Sequence, residues 1–453
     1  MKTVLIIAGS DPGAGAGLQQ DLKVATLLGT YGLTVVTALT IQNSLGVLSV
    51  HPVAPEVVDA QLLAVFSDFP VAAVKVGMLA NADVARTVAR RLKEYQPEYL
   101  VVDPVLAASS GGALLEPAGV AVLKEEIFPL TYLLTPNAPE AALLAGMEVN
   151  TPGDLEEAAR RLQKTGPQWV LAKGGHLPGE PVDVLTDGIN AYHLRGPRLA
   201  APHGHGSGCA LAAGVAAHLA RGLALPEAVQ EARTLVAQAL RWGLALGRGR
   251  GPVNPYAPFA REMSRYRVLE SLLEAAARLQ QEDIRGLIPE TMSNLAYAAA
   301  YAEGPQDVAA FPARLVKSPQ GLLIPASPAF GASRGLAAVI LAVLGIHPRL
   351  RAAMNIRYFE GLEEIAPLLA LNLAACKRSP EPGKGQGQEE DTLTAGLAAA
   401  LKPGEPPPDL IHDPGVWRRE PRLYILGTDP EAVAEKAVAL KNALSAAGRL
   451  AGY

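Results

Sequence analysis

The chain has 453 residues and a mass of 47.3 kDa, more than one ordinary core requires, so roughly 150 residues per domain allows two large domains or three smaller ones. Apolar residues make up 49% and charged residues 19%, which excludes global disorder and suits large cores. Forty basic against forty-four acidic residues leave a formal charge of −4, so the balance gives no electrostatic reason to expect nucleic acid.

TVLIIAG (3–9) reads as a strand, and Leu18 to Leu28 as a helix with apolar residues at helical spacing. Leu33–Leu39, Ala73–Gly77, Tyr99–Asp103, Tyr132–Thr135 and Trp169–Lys173 repeat the strand pattern. Val84–Glu94, Pro139–Gly146 and Gly153–Lys164 read as helices between them. Continuous apolar strands separated by helices predict a mostly parallel sheet with helices on both faces. Asp183 to Leu194 reads as an antiparallel extension, followed by an Ala-rich helix from Cys209 and another over Pro226–Leu244. Leu246 to Pro258 is rich in Gly and Pro and without periodicity, which predicts a boundary. Arg261–Gln281 then reads as a helix, and a second α/β pattern runs to the end. Within it, Lys377–Asp391 holds no anchoring apolar residue and is expected to be a surface loop. The longest apolar run, Gly335 to Ile346, falls far short of the ~20 residues of a membrane span. The amino-terminal apolar stretch is too short for a secretory signal. Cys209 and Cys376 lack metal or disulfide spacing. These features lead us to expect a soluble, cytoplasmic protein.

The first strand runs into GSDPGAGAGLQQDLK, with glycines at 9, 13, 15 and 17. This spacing fits neither the dinucleotide fingerprint nor a P-loop, and by itself reads equally as a tight turn or as a loop that admits a ligand to the backbone. GHGSGCALAAGVAAHLARG (204–222) places glycines and a serine at the start of an apolar helix. Its free amides and dipole suit an anion, and Cys209 falls in the first turn, where a thiolate is favoured. An N-capped core helix with a buried cysteine is the bland alternative. Asp103, Asn137, Glu140 and Lys173 follow or close further strands. Each alone is as readily a cap or turn residue, but ligands of open parallel sheets lie beyond such strand ends.

Together AGSDPGAGAGLQQDLK, ALTIQNSLGV, VKVGML, VVDPVL, LLTPNAPEA, LAKGGH and HGSGC resemble the hydroxymethylpyrimidine and phosphomethylpyrimidine kinases of thiamine biosynthesis. The resemblance covers about residues 1–250 and implies a ribokinase-like α/β fold with ATP and Mg²⁺ as cofactors. Carried over, Gly9, Asp21, Gln42 and Met78 surround the pyrimidine, and the carboxamide of Gln42 suits an aminopyrimidine edge. Asp103, Asn137, Glu140 and Lys173 lie near the nucleotide, with Asp103 and Glu140 at the metal. Gly206, Gly208 and Cys209 match the anion hole and catalytic position. His203 and Gly204 stand where the family often has an Asn-Thr pair. A pyridoxal-type kinase is the third reading, against which Gln42 and HGSGC weigh.

Downstream, IPETMSNLAYA, DVAAFPARLV, PAFGASRGLAAVIL, RAAMNIRYFEG and HDPGVWRREPRLYILGTDPEAV follow in order. Arg314, Arg334, Arg357 and Arg349 are guanidinium groups near strand or helix ends that suit phosphates, or else surface arginines with carboxylate neighbours. The segment resembles the ThiN-type thiamine-phosphate synthase domain, which implies a class II aldolase-like α/β/α fold. It also implies coupling of hydroxymethylpyrimidine diphosphate to thiazole phosphate. On that resemblance Arg314 is the catalytic candidate, and Asn294, Ser333, Arg334 and Asn355 bind substrate. Gly335 stands where the family commonly has histidine. The alternative is therefore a kinase whose second domain only senses thiamine phosphate. The expected organisation is a kinase domain over 1–250, a linker over 251–258 and a synthase domain over 259–453. The expected partners are small molecules and a second copy in a homodimer, without nucleic acid or membrane.

Overall fold

The computed structural model describes all residues except 108–110, 113, 377–386, 403, 416–420 and 451–453. The chain divides into two compact units, Met1–Phe259 and Ala260–Tyr453.

The first unit is a nine-stranded sheet with the order β3-β2-β1-β4-β5-β6-β7-β8-β9. Its strands are β1 (Thr3–Ser10), β2 (Tyr31–Asn43), β3 (Gly46–Pro52), β4 (Val71–Val76), β5 (Leu100–Val102), β6 (Leu133–Leu134), β7 (Trp169–Ala172), β8 (Val182–Thr186) and β9 (Ala191–Arg195). Its helices are α1 (Gly17–Leu27), α2 (Pro55–Asp68), α3 (Ala82–Tyr95), α4 (Pro117–Val122), α5 (Ala138–Ala145), α6 (Pro152–Gln163), α7 (Ser207–Ala220) and α8 (Leu225–Arg241). Strands β2, β1, β4, β5, β6 and β7 pair in parallel, whereas β3, β8 and β9 add antiparallel edges. The expected antiparallel extension is the β8–β9 pair.

Residues 5–7 of β1 are buried on both faces, which is why TVLIIAG carries no polar alternation. One core, containing Leu5, Ile7, Val74 and Val102, lies under α2 to α6. The other, containing Val4, Ile6 and Val101, lies under α7 and α8. Ala210–Ala220 of α7 are all buried. Small side chains around its whole circumference let it lie between sheet, α1 and α8.

The segment expected as a linker folds back onto this unit. His205 and Pro252 form a backbone bridge, and the Asn254 N–H donates to the Ala239 carbonyl at 2.9 Å. Val253 and Asn254 are buried. The unit therefore runs beyond the Gly/Pro stretch that we read as its end.

Helix α9 (Ala257–Gln281) spans the division between units. The second unit holds a seven-stranded sheet of order β14-β11-β10-β15-β18-β17-β16 and a two-stranded β12–β13 hairpin. Its strands are β10 (Leu295–Ala298), β11 (Val308–Ala310), β12 (Val316–Ser318), β13 (Gly321–Leu323), β14 (Ala329–Phe330), β15 (Ala352–Arg357), β16 (Leu373–Ala375), β17 (Leu410–Asp413) and β18 (Arg422–Gly427). Its remaining helices are α10 (Arg334–Leu344), α11 (Leu362–Leu368), α12 (Gly387–Ala400) and α13 (Pro430–Ala446). Pairing is antiparallel except between β16 and β17. Alternate residues of β15 face two cores: Met354 and Ile356 join α9 and α13, while Ala353 joins α10 and α12. Residues 377–386 of the expected surface loop lie outside the described residues. From Gly387 the chain is helical, which corrects the remainder of that expectation.

Candidate active sites

In the first unit the functional groups stand in a row along the carboxyl ends of adjacent parallel strands. Gln42 comes from β2, Asp11 from just beyond β1, and Lys75 and Met78 from β4 and its exit. Asp103 follows β5, Asn137 follows β6, and Lys173 follows β7. A Cβ on Gly9 would lie 3.1 Å from the Met78 sulfur, so these two expected pyrimidine neighbours do touch.

Asp11, which we did not single out, is the hub of the glycine loop. Its carboxylate accepts the N–H groups of Gly13 (2.8 Å), Gly15 (3.0 Å) and Ala16 (2.9 Å), and lies 3.2 Å from His205 Nε2. Burial works to raise its pKa, but the hydrogen bonds from His205, Gln42 and the Gly13 and Ala16 amides hold it at about 2. Gln42 is thereby placed beside Asp11. The loop presses against the start of α7: a Cβ on Gly206, whose φ is +81°, would lie 1.8 Å from the Gly15 carbonyl oxygen. Only glycine fits both the conformation and the space.

Asp21 is fully buried and paired with Lys75, also fully buried, at 2.7 Å. Its side chain lies below the accessible surface. Burial pushes its carboxyl up to about 6 against the opposing effect of Lys75. Burial also disfavours the Lys75 ammonium, but the charges of Asp21, Cys209 and Asp103 outweigh it and raise its pKa. Both partners thus shift upward; we take Lys75 as the fixed cation, because three acidic groups face it. Asp21 Oδ1 has no hydrogen-bond partner.

Cys209 lies half-buried in the first turn of α7, as expected, and its surroundings oppose the thiolate. Burial pushes its thiol up to about 11, with Asp21 and Asp103 adding to the rise against Lys75 and the Gly17 amide. Loss of solvation and two carboxylates outweigh the helix terminus.

Asp103 Oδ1 accepts from Lys173 Nζ (2.9 Å) and Thr135 Oγ1 (3.1 Å). Burial opposes its ionisation, yet Lys173 and Lys75 hold its pKa below the usual range. A Cβ on Gly208 would lie 3.3 Å from Lys173 Nζ and 3.6 Å from Asp103 Oδ2, so the α7 terminus sits directly against this pair. Asn137 and Glu140 form a reciprocal capping box on α5. Glu140 is pushed up to about 7 by burial and by Asp103, against Lys173. The local structural role of these two residues is thus on view, and Glu140 also feels the charged pair.

In the second unit the structure brings Asn294, Arg314 and Asn355 together. Asn355 Oδ1 accepts the Asn294 N–H at 2.8 Å and its Nδ2 donates to the Met292 carbonyl at 3.1 Å. Asn294 Oδ1 accepts the Phe311 N–H (3.0 Å) and Nδ2 donates to the Phe311 carbonyl (2.8 Å). Both carboxamides therefore clamp strand ends. Arg314, exposed and with φ +59°, donates to the Thr291 carbonyl at 2.6 Å. Ser333 caps α10 by accepting the Leu336 N–H. Among the described residues no hydrogen bond or ion pair joins Ser333 or Arg334 to the asparagine–Arg314 group. A Cβ on Gly335 would meet nothing within 4 Å.

Four groups of the first site escaped the sequence reading: Asp11, Lys75, Thr135 and His205. Lys75 carried a signal, being a lone charge in the apolar strand VAAVKV of a doubly covered sheet. Asp11 and His205 lie within the quoted motifs, but their pairing across 194 residues left no local mark.

A parallel sheet whose strand ends gather acid–lysine pairs against a glycine-rich helix terminus defines an α/β phosphotransferase of the ribokinase-like class. The chain belongs to the phosphomethylpyrimidine kinase family, which it matches over residues 11–254, and carries behind it a thiamine-phosphate synthase ThiN domain, matched over 271–439. It is similar to the thiamine biosynthesis bifunctional protein ThiED of Geobacter sulfurreducens, with 49% identity over 253 residues. That match takes in 56% of this chain and 52% of the relative, so it spans about half of that protein. A hydroxymethylpyrimidine/phosphomethylpyrimidine kinase of Synechococcus elongatus is 44% identical over 56% of this chain and 97% of its own. Among solved structures, an ADP complex of Bacillus subtilis pyridoxal kinase aligns with a TM-score of 0.54 and 34% identity, over 57% of this chain and 99% of that one. Membership of a kinase family implies a nucleotide as the phosphoryl donor.

Proposed function

We propose that residues 1–250 phosphorylate hydroxymethylpyrimidine and then its monophosphate with ATP, and that residues 259–453 couple the diphosphate to thiazole phosphate, releasing pyrophosphate. The observation that carries the kinase half is the α7 terminus lying against the Asp103–Lys173 pair. In the first step the substrate hydroxyl gives its proton to the ionised Cys209 sulfur, its oxygen attacks the γ-phosphorus, the bond to the β,γ-bridging oxygen breaks, and ADP leaves. The amides at Gly206, Gly208 and Cys209 face the charge on the transferring group. Lys173 neutralises the nucleotide side. Gln42, Gly9 and Met78 hold the ring, with the unpartnered Asp21 oxygen beneath.

Mg²⁺, when bound, neutralises phosphate charge. Asp103 and Glu140 would hold it, since Asp103 Oδ2 is the oxygen that Lys173 and Thr135 leave open, and Glu140 is a neighbouring carboxyl that a cation would ionise. Among the described residues no group of three or more His, Cys, Asp or Glu could hold a metal.

A one-pot reaction of the protein with hydroxymethylpyrimidine, thiazole phosphate, ATP and Mg²⁺, resolved by chromatography, tests the whole reading. Thiamine phosphate is the expected product; the absence of pyrimidine-dependent ATP consumption would sink the kinase half.

The high-lying Cys209 thiol gives a finer expectation. An alcohol benefits from a base in the first phosphorylation, whereas the second substrate is already anionic. The first step should therefore accelerate from pH 7 toward 10 as the thiol ionises, with the second step comparatively flat. Cys209→Ala should slow the first step by about 10²-fold or more and the second by only a few-fold. Equal losses in both steps would assign the residue to positioning alone.

Gly335 favours a second reading, in which the ThiN domain binds thiamine phosphate without coupling. The open space at this position makes the test direct. If the missing imidazole limits coupling, Gly335→His should raise the coupling rate by about 10–10²-fold in single-turnover assays. An unchanged rate in a protein that already couples would show that the histidine is dispensable.

No helix among the described residues is long and apolar enough to cross a membrane. A cytoplasmic location belongs to the same proposal, as does a homodimer. Exposed Leu39 and Ile41 of β2 and Leu48 of β3 offer an apolar face to a second copy, and light scattering would report its mass.

A further inference from the structure

We infer that Arg314, Arg357 and Arg422 form the seat of a diphosphate group at one end of the second sheet, an assignment that rests on the coupling reading of this unit. Arg357 on β15 stands directly opposite Arg422 on β18 in the antiparallel register, so both side chains leave the same face. The Nε of each is buried and has no hydrogen-bond partner. Arg422 Nη2 reaches Thr291 Oγ1 at 3.4 Å, while Arg314 Nη1 donates to the Thr291 carbonyl, so one residue joins the first guanidinium to the third.

Charge sharpens the point. Several arginines of this unit are neutralised, Arg261 by Glu303 (2.7 Å), Arg285 by Asp283 (2.6 Å) and Arg449 by Glu364 (2.7 Å), whereas Arg351, whose Nε is also unpartnered, donates instead to the Ala298 carbonyl. Among the described residues Arg314, Arg357 and Arg422 form no ion pair. Asp413 is the register partner of Arg422 on β17 and shares its face, and its Oδ1 accepts the Gly415 N–H. Three guanidinium groups with no ion-pair partner among the described residues concentrate positive charge at this end of the sheet. Buried N–H donors without acceptors are what a multiply charged oxyanion would satisfy through forked contacts.

The backbone supports the same location. Met292 and Arg314 are both non-glycine residues in the left-handed region, at φ +67° and +59°, and flank Thr291 and the clamped Asn294. Such conformations persist where the surroundings over-determine them, commonly at ligand sites. Asn355, two residues before Arg357 on the same strand face, fixes β15 against β10 and is a positioning residue. His412 faces the other side, stacked on Tyr358, and takes no part.

Inorganic pyrophosphate is the probe, titrated calorimetrically into the full chain with the kinase site saturated by a non-hydrolysable ATP analogue. Arg357→Gln and Arg422→Gln should each weaken binding at least tenfold, and Arg357→Lys and Arg422→Lys by less, because the charge remains while the fork is lost. A thermal melt checks that the second unit is folded; where a glutamine variant does not fold, the lysine variant decides, with unchanged affinity counting against the seat. Wild-type coupling together with wild-type pyrophosphate affinity in the folded variants would overturn the assignment. Pyrophosphate binding that the variants lose, in a wild-type chain that forms no thiamine phosphate, would leave the seat standing and remove the coupling reading.

Discussion

Lys75→Met is expected to destabilise the first unit by about 3–5 kcal/mol, the usual consequence of leaving one member of a buried ion pair without its counter-charge. Asp21 would remain at 0% exposure, with Asp103 nearby to repel it. The carboxyl must then stay protonated in the folded chain while it ionises near 3.9 when unfolded. The folded state binds the extra proton above that value, so the deficit should grow as pH rises from about 5 to 8. Urea unfolding at several pH values measures it. Adding Asp21→Leu should recover much of the loss, because a buried apolar pair of similar volume avoids the uncompensated charge. A single substitution that leaves stability unchanged across this range would show that the pair is not a structural keystone.

The second large effect is expected at Gly206. Alanine there must adopt φ +81° and place its Cβ at 1.8 Å from the Gly15 carbonyl, so the glycine loop and the α7 terminus have to separate. The strain is worth about 1–3 kcal/mol. The functional loss should be greater, because the amides of α7 would no longer sit against Lys173 and Asp103. A fall of about 10²–10³-fold in turnover corresponds to losing one well-aimed donor. Both phosphorylation steps should suffer alike, in contrast to the Cys209 substitution. Steady-state assays on each substrate, with a melt to separate unfolding from misalignment, would measure this. Near-normal turnover in a folded variant would rule out the anion-site role.

The parallel core of the first unit was legible because its strands are buried on both faces and carry unbroken apolar runs. β3 and α2 were not read: β3 is largely exposed or half-buried, and α2 buries only Val58 and Leu62, so neither has a clear period. The 251–258 segment looked like a linker by composition. Its one glycine instead permits close contact, for a Cβ on Gly251 would strike the Leu244 carbonyl. In the sites, residue types and strand ends were visible, but burial was not. That is why the Cys209 thiol lies at about 11 where its helical position alone suggested a thiolate. Arg422 was missed for a related reason, since its pairing with Arg357 is a matter of strand register between segments that are distant in sequence.

The contact of Asp11 with His205, and of the Gly15 loop with Gly206, also bears on how the chain acquires its shape. The first β–α turn is synthesised well before α7, so its buried carboxylate has to wait for a partner 194 positions later. Closing such a loop is entropically costly and is rewarded only at the end, which predicts a high contact order and slow maturation of this unit. On a ribosome the amino-terminal strands would remain an open, unlocked sheet until the α7 terminus emerges. The catalytic cleft would then form as the last act of folding rather than as its nucleus.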